Sequence, residues 1–490
     1  MNHRLIGLVL AAAVTCSAGC AHGTAPSSSA AAPTPTPFEV TAKTKDSINV
    51  PWFPEDNLNP YSCETLQNYY LAGLLCDPLV ALGADQTPQN RLALELTPDH
   101  NTYIIPLRHD ALFSDGTPLT SEDVLYSLEL ARASPRFSAG LAGVEKAEAA
   151  DSGTVRITLT APDVFFPRAL TFPIIKKNTA ELAIPIGVGR FTPRTEQNLL
   201  VRNAAYYNPV KHIKQIALVS TASLEEQSFA IMEGKIDFMY SDLQGDLNLG
   251  LGIGYRQIPL SNMVYLGVNG SDACASQAVR SALSGLIDRD ELARKVYMGF
   301  ASSTSLPISP SVAATTLSAS DLEVNKDKQY LALTQAGYTP EAPLALELLV
   351  NEESDERSST AELITKMYKD SGIALTVTVL PFAQYSERIA KGEYDLYIGE
   401  VRLPYNMDLS ALIFPGGALN PAAPSLPALA ALYNEVRTGE SPPELLEERL
   451  RSELPIIPLL FRRGILCFSR DFSANIVATE QDIFYNIVDW

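Results

Sequence analysis

Histidine is scarce in this chain of 490 residues: it has five, two of them at positions 3 and 22. No H-E-x-x-H or C-x-x-C spacing occurs, so the pattern of a dedicated metal centre is missing. A G-x-S-x-G elbow, an S-x-x-K pair, a phosphate-cradling glycine loop and a Cys–His site are also lacking. Gly250, Gly252 and Gly254 follow a G-x-G-x-G pattern without dinucleotide spacing and read as a turn. The abundant carboxylates single out no pair, although a glycosidase pair about 5–9.5 Å apart leaves no mark in a sequence. Positive charge is in deficit, 37 Lys and Arg against 56 Asp and Glu, and the net charge of −19 disfavours nucleic acid and anionic headgroups as partners. Beyond the first residues no apolar run reaches the roughly 20 needed to span a bilayer. The expectation is a binding protein with no enzyme activity, metal or cofactor.

What is present begins with a leader. A short basic and polar start, His3 and Arg4, precedes an apolar run from Leu5 to Val14, as in a secretory signal. Ser17, Ala18 and Gly19 before Cys20 resemble the lipobox of bacterial lipoproteins, in which the cysteine becomes the lipidated N-terminus. Ser17 stands where leucine is usual, and Cys16 is a rival cleavage point. Residues 21–37, AHGTAPSSSAAAPTPTP, have the composition of a flexible tether. Four cysteines remain, Cys63, Cys76, Cys274 and Cys467. Export permits disulfides. Cys63–Cys76 would close a short loop and Cys274–Cys467 a long one, but spacing alone does not choose between bridges and buried thiols.

About 450 residues follow the tether, enough for two or three domains. Residues 213–240 read strand, helix (Leu224, Phe229, Met232), strand. Residues 374–399 repeat that order, and in both copies a Lys–Gly pair lies at the helix end, where glycine is the natural cap. An additional strand at 344–350 and a helix with Leu363 and Met367 on one face, stopped by Gly372, precede the second copy. Strand–helix alternation of this kind makes an α/β sheet, and two copies suggest two α/β lobes. Thr120 with Asp123 marks one helix start, ahead of the stripe Val124, Leu125, Leu128 and Ala131. Asp288 with Glu291 marks another, with Leu292 and Val296 on one face. Residues 76–110 look largely β, and 301–320 read as a loop or crossover.

Several stretches in order resemble the peptide/nickel-type extracellular solute-binding proteins of ABC transporters. They are LLCDPLVAL (74–82), TYIIPLRHDALFSDGTPLTSEDVLYSLELA (102–131), QAVRSALSGLIDRDELARKVYMGFASSTSLPISP (277–310), NKDKQYLALTQAGY (325–338), YKDSGIALTVTVLPFAQYSERIAKGEYDLYIG (368–399) and LRSELPIIPLLFRRG (450–464). The resemblance implies an α/β, two-lobed periplasmic-binding-protein-like fold of type II with a β-rich subdomain in the first lobe. It places the signal and lipobox at 1–20, the tether at 21–37, lobe I at 38–260, lobe II at 261–460 and a return to lobe I at 461–490, with a two-segment hinge. It further implies a lipid-anchored monomer on the outer face of a bacterial membrane. Such a protein closes over a peptide or small molecule and delivers it to a permease. A surface receptor or adhesin on the same fold, or an importer receptor for a non-peptide solute, is the alternative.

In the peptide-binding members the strand matching YDLYIG runs into a Gly-Trp pair, and an aspartate three residues beyond grips the peptide's ammonium group. Here Gly399 is kept, Glu400 replaces the tryptophan and Leu403 the aspartate, leaving Asp408 as the last acid of a changed run. Glu400 and Arg402, two apart, face one side of an extended strand. They would hold an amine and an acid respectively, or pair with each other. Tyr69, Tyr70, Asn262, Met263, Tyr265, Tyr405 and Asn406 complete the expected ligand-lining set, and the lost anchor shifts the expectation towards modified peptides, amino-acid-derived metabolites, chelates or sugars.

Overall fold

A computed structural model describes residues 45–243, 253–312, 318–469, 472 and 475–490. The leader, Cys20, the 21–37 tether, Gly250 and Gly252 lie outside the described residues. Two long antiparallel strands, Gly254–Val268 and Ile456–Phe468, form the spine. Gly254 to Pro259 pair with Phe468 to Arg463; the ladder then breaks and resumes with Met263 opposite Phe461. A seven-stranded sheet grows on this ribbon among the described residues. Its order is Phe238–Ser241, Ile456–Phe468, Gly254–Val268, Leu396–Arg402, Leu344–Asn351 and Ile373–Leu380, with Ala301–Ser303 also on Ile456–Phe468.

The expected strand–helix–strand–helix–strand run is present. Leu344–Asn351 pairs in parallel with both Ile373–Leu380 and Leu396–Arg402. Parallel neighbours need crossovers, supplied here by helices Asp355–Tyr368 and Phe382–Lys391. Gly392 ends the second of these in the left-handed region, as the Lys–Gly pair predicts. The first ends at Tyr368, earlier than expected, and Asp370 and Gly372 at positive φ turn the chain into the next strand.

The earlier copy keeps its order but splits between sheets. Gln215–Ser220 lies parallel to Ser47–Trp52 in a four-stranded sheet, whereas Phe238–Ser241 is taken as an edge partner by the long ribbon. Its helix, Leu224–Met232, buries Ala230 and Ile231 against Met239, Ile465 and Cys467. Phe229 and Met232, expected on the buried stripe, face solvent instead.

The β-rich region forms a separate four-stranded sheet in the order Thr97–Asp99, Thr102–Pro106, Thr154–Leu159 and Val144–Asp151. Helix Ser121–Ala133 covers it, with Val124, Leu128 and Ala131 fully buried. Asp123 accepts from both the backbone N–H and the hydroxyl of Thr120, so the helix starts where the sequence marks it. Asp288 likewise accepts from the Glu291 N–H.

The C-terminal residues Phe484, Ile487 and Trp490 share a core with Ile48, Val50, Ile216 and Phe238. Among the described residues no disulfide forms: Cys63, Cys76, Cys274 and Cys467 are free and buried. Cys76, Cys274 and Cys467 belong to three different hydrophobic clusters, which keeps Cys274 and Cys467 from the bridge that the spacing left open. Burial raises the thiols of Cys274 and Cys467 to about 12 and that of Cys63 to about 11, so they behave as apolar packing groups. No helix among the described residues is long and apolar enough to cross a membrane.

Candidate functional site

The strand Leu396–Arg402 runs antiparallel to Gly254–Val268, with Gly399 opposite Tyr265 and Gly267 opposite Tyr397. Each tyrosine ring lies over the facing glycine. A Cβ on Gly399 would come within 2.5 Å of the Tyr265 ring, and one on Gly267 within 1.8 Å of the Tyr397 ring. The two rings meet edge to face, and their hydroxyls lie 3.3 Å apart. Tyr265 and Met263 are buried in one hydrophobic cluster of the sheet, away from the cavity described below.

At the end of this strand the chain crosses a junction of several segments. The Leu403 N–H donates to the Ser261 carbonyl, and the Ser261 N–H donates to Glu480 Oε2, both at the break in the long ribbon. Glu480 Oε1 faces Arg402 Nε at 3.0 Å, and its main-chain carbonyl accepts from the Tyr70 hydroxyl. Arg402 Nη2 donates to the Tyr405 hydroxyl at 2.7 Å. Glu480, with a side chain 6% exposed, therefore ties together the C-terminal segment, the ribbon and the end of the strand. Tyr70 is buried against Tyr240 and anchors this junction from behind.

Beyond it opens a cavity of about 370 Å³, at the small end of the roughly 300–1,000 Å³ typical of ligand pockets. One side is built from residues 69–82, 135–140, 168–173, 190 and 479–482, and the other from 402–406. Four of the expected residues meet here: Tyr69, Arg402, Tyr405 and Asn406. Arg136 lies over the Tyr69 ring at 3.9 Å. Asn406 Nδ2 reaches across to the Gly140 carbonyl. Beside it, Arg437 forms an ion pair with Asp163, and its carbonyl accepts from the Val164 N–H at 2.9 Å. Burial raises the Asp163 carboxyl above its usual value despite the arginine beside it.

Glu400 and Arg402 do not pair. Glu400 lies between Arg357 Nη2 at 3.6 Å and Arg462 Nη1 at 3.5 Å, and accepts from Asn262 Nδ2. With Glu353, Ser354 and Glu356 these residues line a separate polar recess, which shares Arg402 with the cavity. Asp408 stays out of the cavity and accepts from the Ser410 N–H and the Tyr433 hydroxyl. Burial alone would raise its carboxyl, but those bonds outweigh it and hold the group below its usual value.

The charged cavity residues Asp77, Arg136, Arg168, Arg190 and Asp482, and Glu480 behind it, have no counterpart in the sequence reading. Only Arg190 left a trace, in the run GVGR. A Cβ on Gly187 or Gly189 would meet the Leu75 main chain at 2.3 Å, so glycine alone lets the two segments touch. That contact brings Arg190 to the Gly73 carbonyl and to Asp482 Oδ2, each at 2.9 Å.

The model of the bacterial extracellular solute-binding proteins, family 5, middle region, matches residues 87–414. The periplasmic murein peptide-binding protein MppA of Escherichia coli strain K12 is 25% identical over 74% of this chain and 77% of its own length. The periplasmic oligopeptide-binding protein OppA of the same strain is 23% identical over 83% and 85%. Among solved structures, MppA in its unliganded open form superposes with a TM-score of 0.74 at 21% identity, over 89% of this chain and 95% of that one. NikA from Brucella suis, in complex with Fe(III)-EDTA, gives 0.70 at 19% over 91% and 99%. The fold is thus the two-lobed α/β type II arrangement that the sequence resemblance implies, in a family of binding proteins rather than enzymes. The chain belongs to the bacterial extracellular solute-binding proteins of family 5.

Proposed function

We propose that this protein is the extracytoplasmic receptor of an ABC importer, capturing a peptide or peptide-like small molecule between two lobes and presenting it to a membrane permease. One observation carries the reading: a single cavity is walled by segments far apart in the chain, 69–190 with 479–482 on one side and 402–406 on the other. In this reading residues 38–260 with 461–490 make one lobe and 261–460 the other, with a hinge at the register break of the long ribbon between Pro259 and Met263. Relatives named for murein peptides and oligopeptides support a peptide-like cargo. Tyr69, Arg402, Tyr405 and Asn406 touch the ligand, and Glu400 and Asn262 tune the rim. Cys20 carries the lipid, the 21–37 tether gives the folded part reach, and the receptor works as a monomer.

Mass spectrometry of small molecules co-purifying with the protein, followed by calorimetry, tests the reading. Solution scattering should contract when a bound compound is restored. A scattering profile indifferent to every compound recovered would refute the receptor role. Labelling with a radioactive fatty-acid precursor should mark the chain, and Cys20→Ser should abolish the label.

A further inference from the structure

The cavity wall carries more positive than negative charge. It holds four arginines and two aspartates. Asp482 is satisfied at both oxygens, Oδ2 by Arg190 and Oδ1 by the Phe484 N–H. Asp77 is 3% exposed, and its Oδ2 accepts from the hydroxyls of Tyr206 and Tyr207. Glu480, behind the wall, is taken by Arg402 and the Ser261 N–H. These contacts account for the charges of Arg190 and Arg402.

Arg136 and Arg168 are different. Among the described residues neither guanidinium has a hydrogen-bond or ion-pair partner. Arg136 has the Tyr69 ring beneath it; Arg168 has the Phe165 ring 5.8 Å away and feels the Asp85 carboxylate without forming an ion pair with it. Arg168 Nη1 is buried without any partner. A buried unpaired donor on a cation is costly, and burial pulls this guanidinium below its usual pKa. Arginine is suited to answering a carboxylate or phosphate with two parallel bonds. Two such groups on one small cavity of a chain with net charge −19 are a local reversal of sign. Pro78, Val80, Pro135, Phe137 and Ala169 supply apolar surface between them.

We propose that the cargo is a small dianion without a free amine, one acidic group on Arg168 and the other on Arg136, an N-blocked acidic dipeptide being the simplest peptide-like form. For a free α-ammonium group the wall offers only Asp77 without a paired cation, and that carboxylate is 3% exposed and held by two tyrosine hydroxyls. The inference rests on the receptor reading above and names its cargo class.

Calorimetry on the purified chain separates the two. The probes are N-acetyl-Glu-Ala, which has two carboxylates and no amine, Ala-Ala, and O-phosphoserine N-acetylated at the amine. N-acetyl-Glu-Ala is expected to bind at least tenfold more tightly than Ala-Ala. Arg168→Gln and Arg136→Gln should each weaken it tenfold or more, with melting temperature held. Tighter binding of the phosphoserine compound than of the dicarboxylate assigns one acid site to phosphate within the same class. If Ala-Ala binds as well as N-acetyl-Glu-Ala, or both variants leave the dianion's affinity unchanged, the inference fails while the receptor reading stands. If no probe and no co-purified compound binds, both fail.

Discussion

The junction at Glu480 makes Arg402 more than a lining residue. Its guanidinium spans Glu480 and the Tyr405 hydroxyl, so the cavity wall and the ribbon break share one ion pair. Removing one partner of a fully buried pair costs about 3–5 kcal/mol. Arg402 is 42% exposed, so screening reduces the expectation for Arg402→Gln to about 1–3 kcal/mol. Tyr405→Phe loses one hydrogen bond and should cost about 0.5–1.5 kcal/mol. Urea midpoints for the two variants check that order. Arg402 and Tyr405 were legible because they end an apolar strand in a polar cluster. Glu480 was not: VATEQDIF has no period and no motif, and its importance arises only from where the C-terminal segment returns. A second residue-level effect concerns acid. Lys176 and the Thr117 hydroxyl hold the Asp115 carboxyl down at about 2. A depressed carboxylate contributes stability that is present above its unfolded pKa and lost as pH falls through the folded value. Asp115→Asn should therefore flatten the stability curve between about pH 4 and pH 2, measured by urea unfolding across that range, and leave its slope near neutrality unchanged.

Among the elements, the ladder between Leu396–Arg402 and Gly254–Val268 has the least tolerance. Gly399 and Gly267 are spaces filled by the opposing rings of Tyr265 and Tyr397. A methyl group at Gly399 must push Tyr265 off its site, and overpacking of this kind costs about 1–3 kcal/mol. Gly399→Ala should lower the urea midpoint by that amount, and Gly399→Ala with Tyr265→Leu should recover part of it. Equal losses in the single and double variants would show that the ring is not what Gly399 accommodates. The strand and its glycine were legible from alternation and from the family pattern. The role of Tyr265 was not, because a tyrosine beside a binding strand looks the same in sequence whether it faces a ligand or a glycine across the ladder. The same limit explains Phe229 and Met232: the helix period was readable, but which face the ribbon would claim was not. Elements whose partners are adjacent in the chain, such as the 344–402 crossover unit, followed their local signals closely. Those recruited by a distant segment did not, as Phe238–Ser241 shows by leaving its own sheet for the ribbon.

At the scale of the molecule, two regions distant in the chain meet at an ion pair. Asp163 and Val164 belong to the chain around the β-rich sheet, Arg437 to helix Pro427–Thr438. They share an ion pair and a main-chain hydrogen bond, and Arg437 also donates to the Asn406 carbonyl, whose own amide reaches Gly140. If the lobes open about the break at Pro259–Met263 with these two regions on opposite lobes, these contacts must part. Arg437→Ala should then favour the open form before it weakens either lobe. The ion pair is partly buried, both side chains being 16% exposed, and its loss leaves Asp163 with a raised pKa and no cation beside it. A shift of about 1.4 kcal/mol in the open–closed balance changes the ratio tenfold, and it lowers apparent affinity by the fraction of closed form lost. The unliganded variant should therefore show a larger radius of gyration by scattering and weaker binding of any cargo, whatever its charge, while its urea midpoint moves little. Arg168→Gln, by contrast, should weaken binding of the dianion without expanding the unliganded molecule. An Arg437→Ala protein as compact as the parent, with unchanged affinity, would mean that the Asp163–Arg437 contact does not restrain opening.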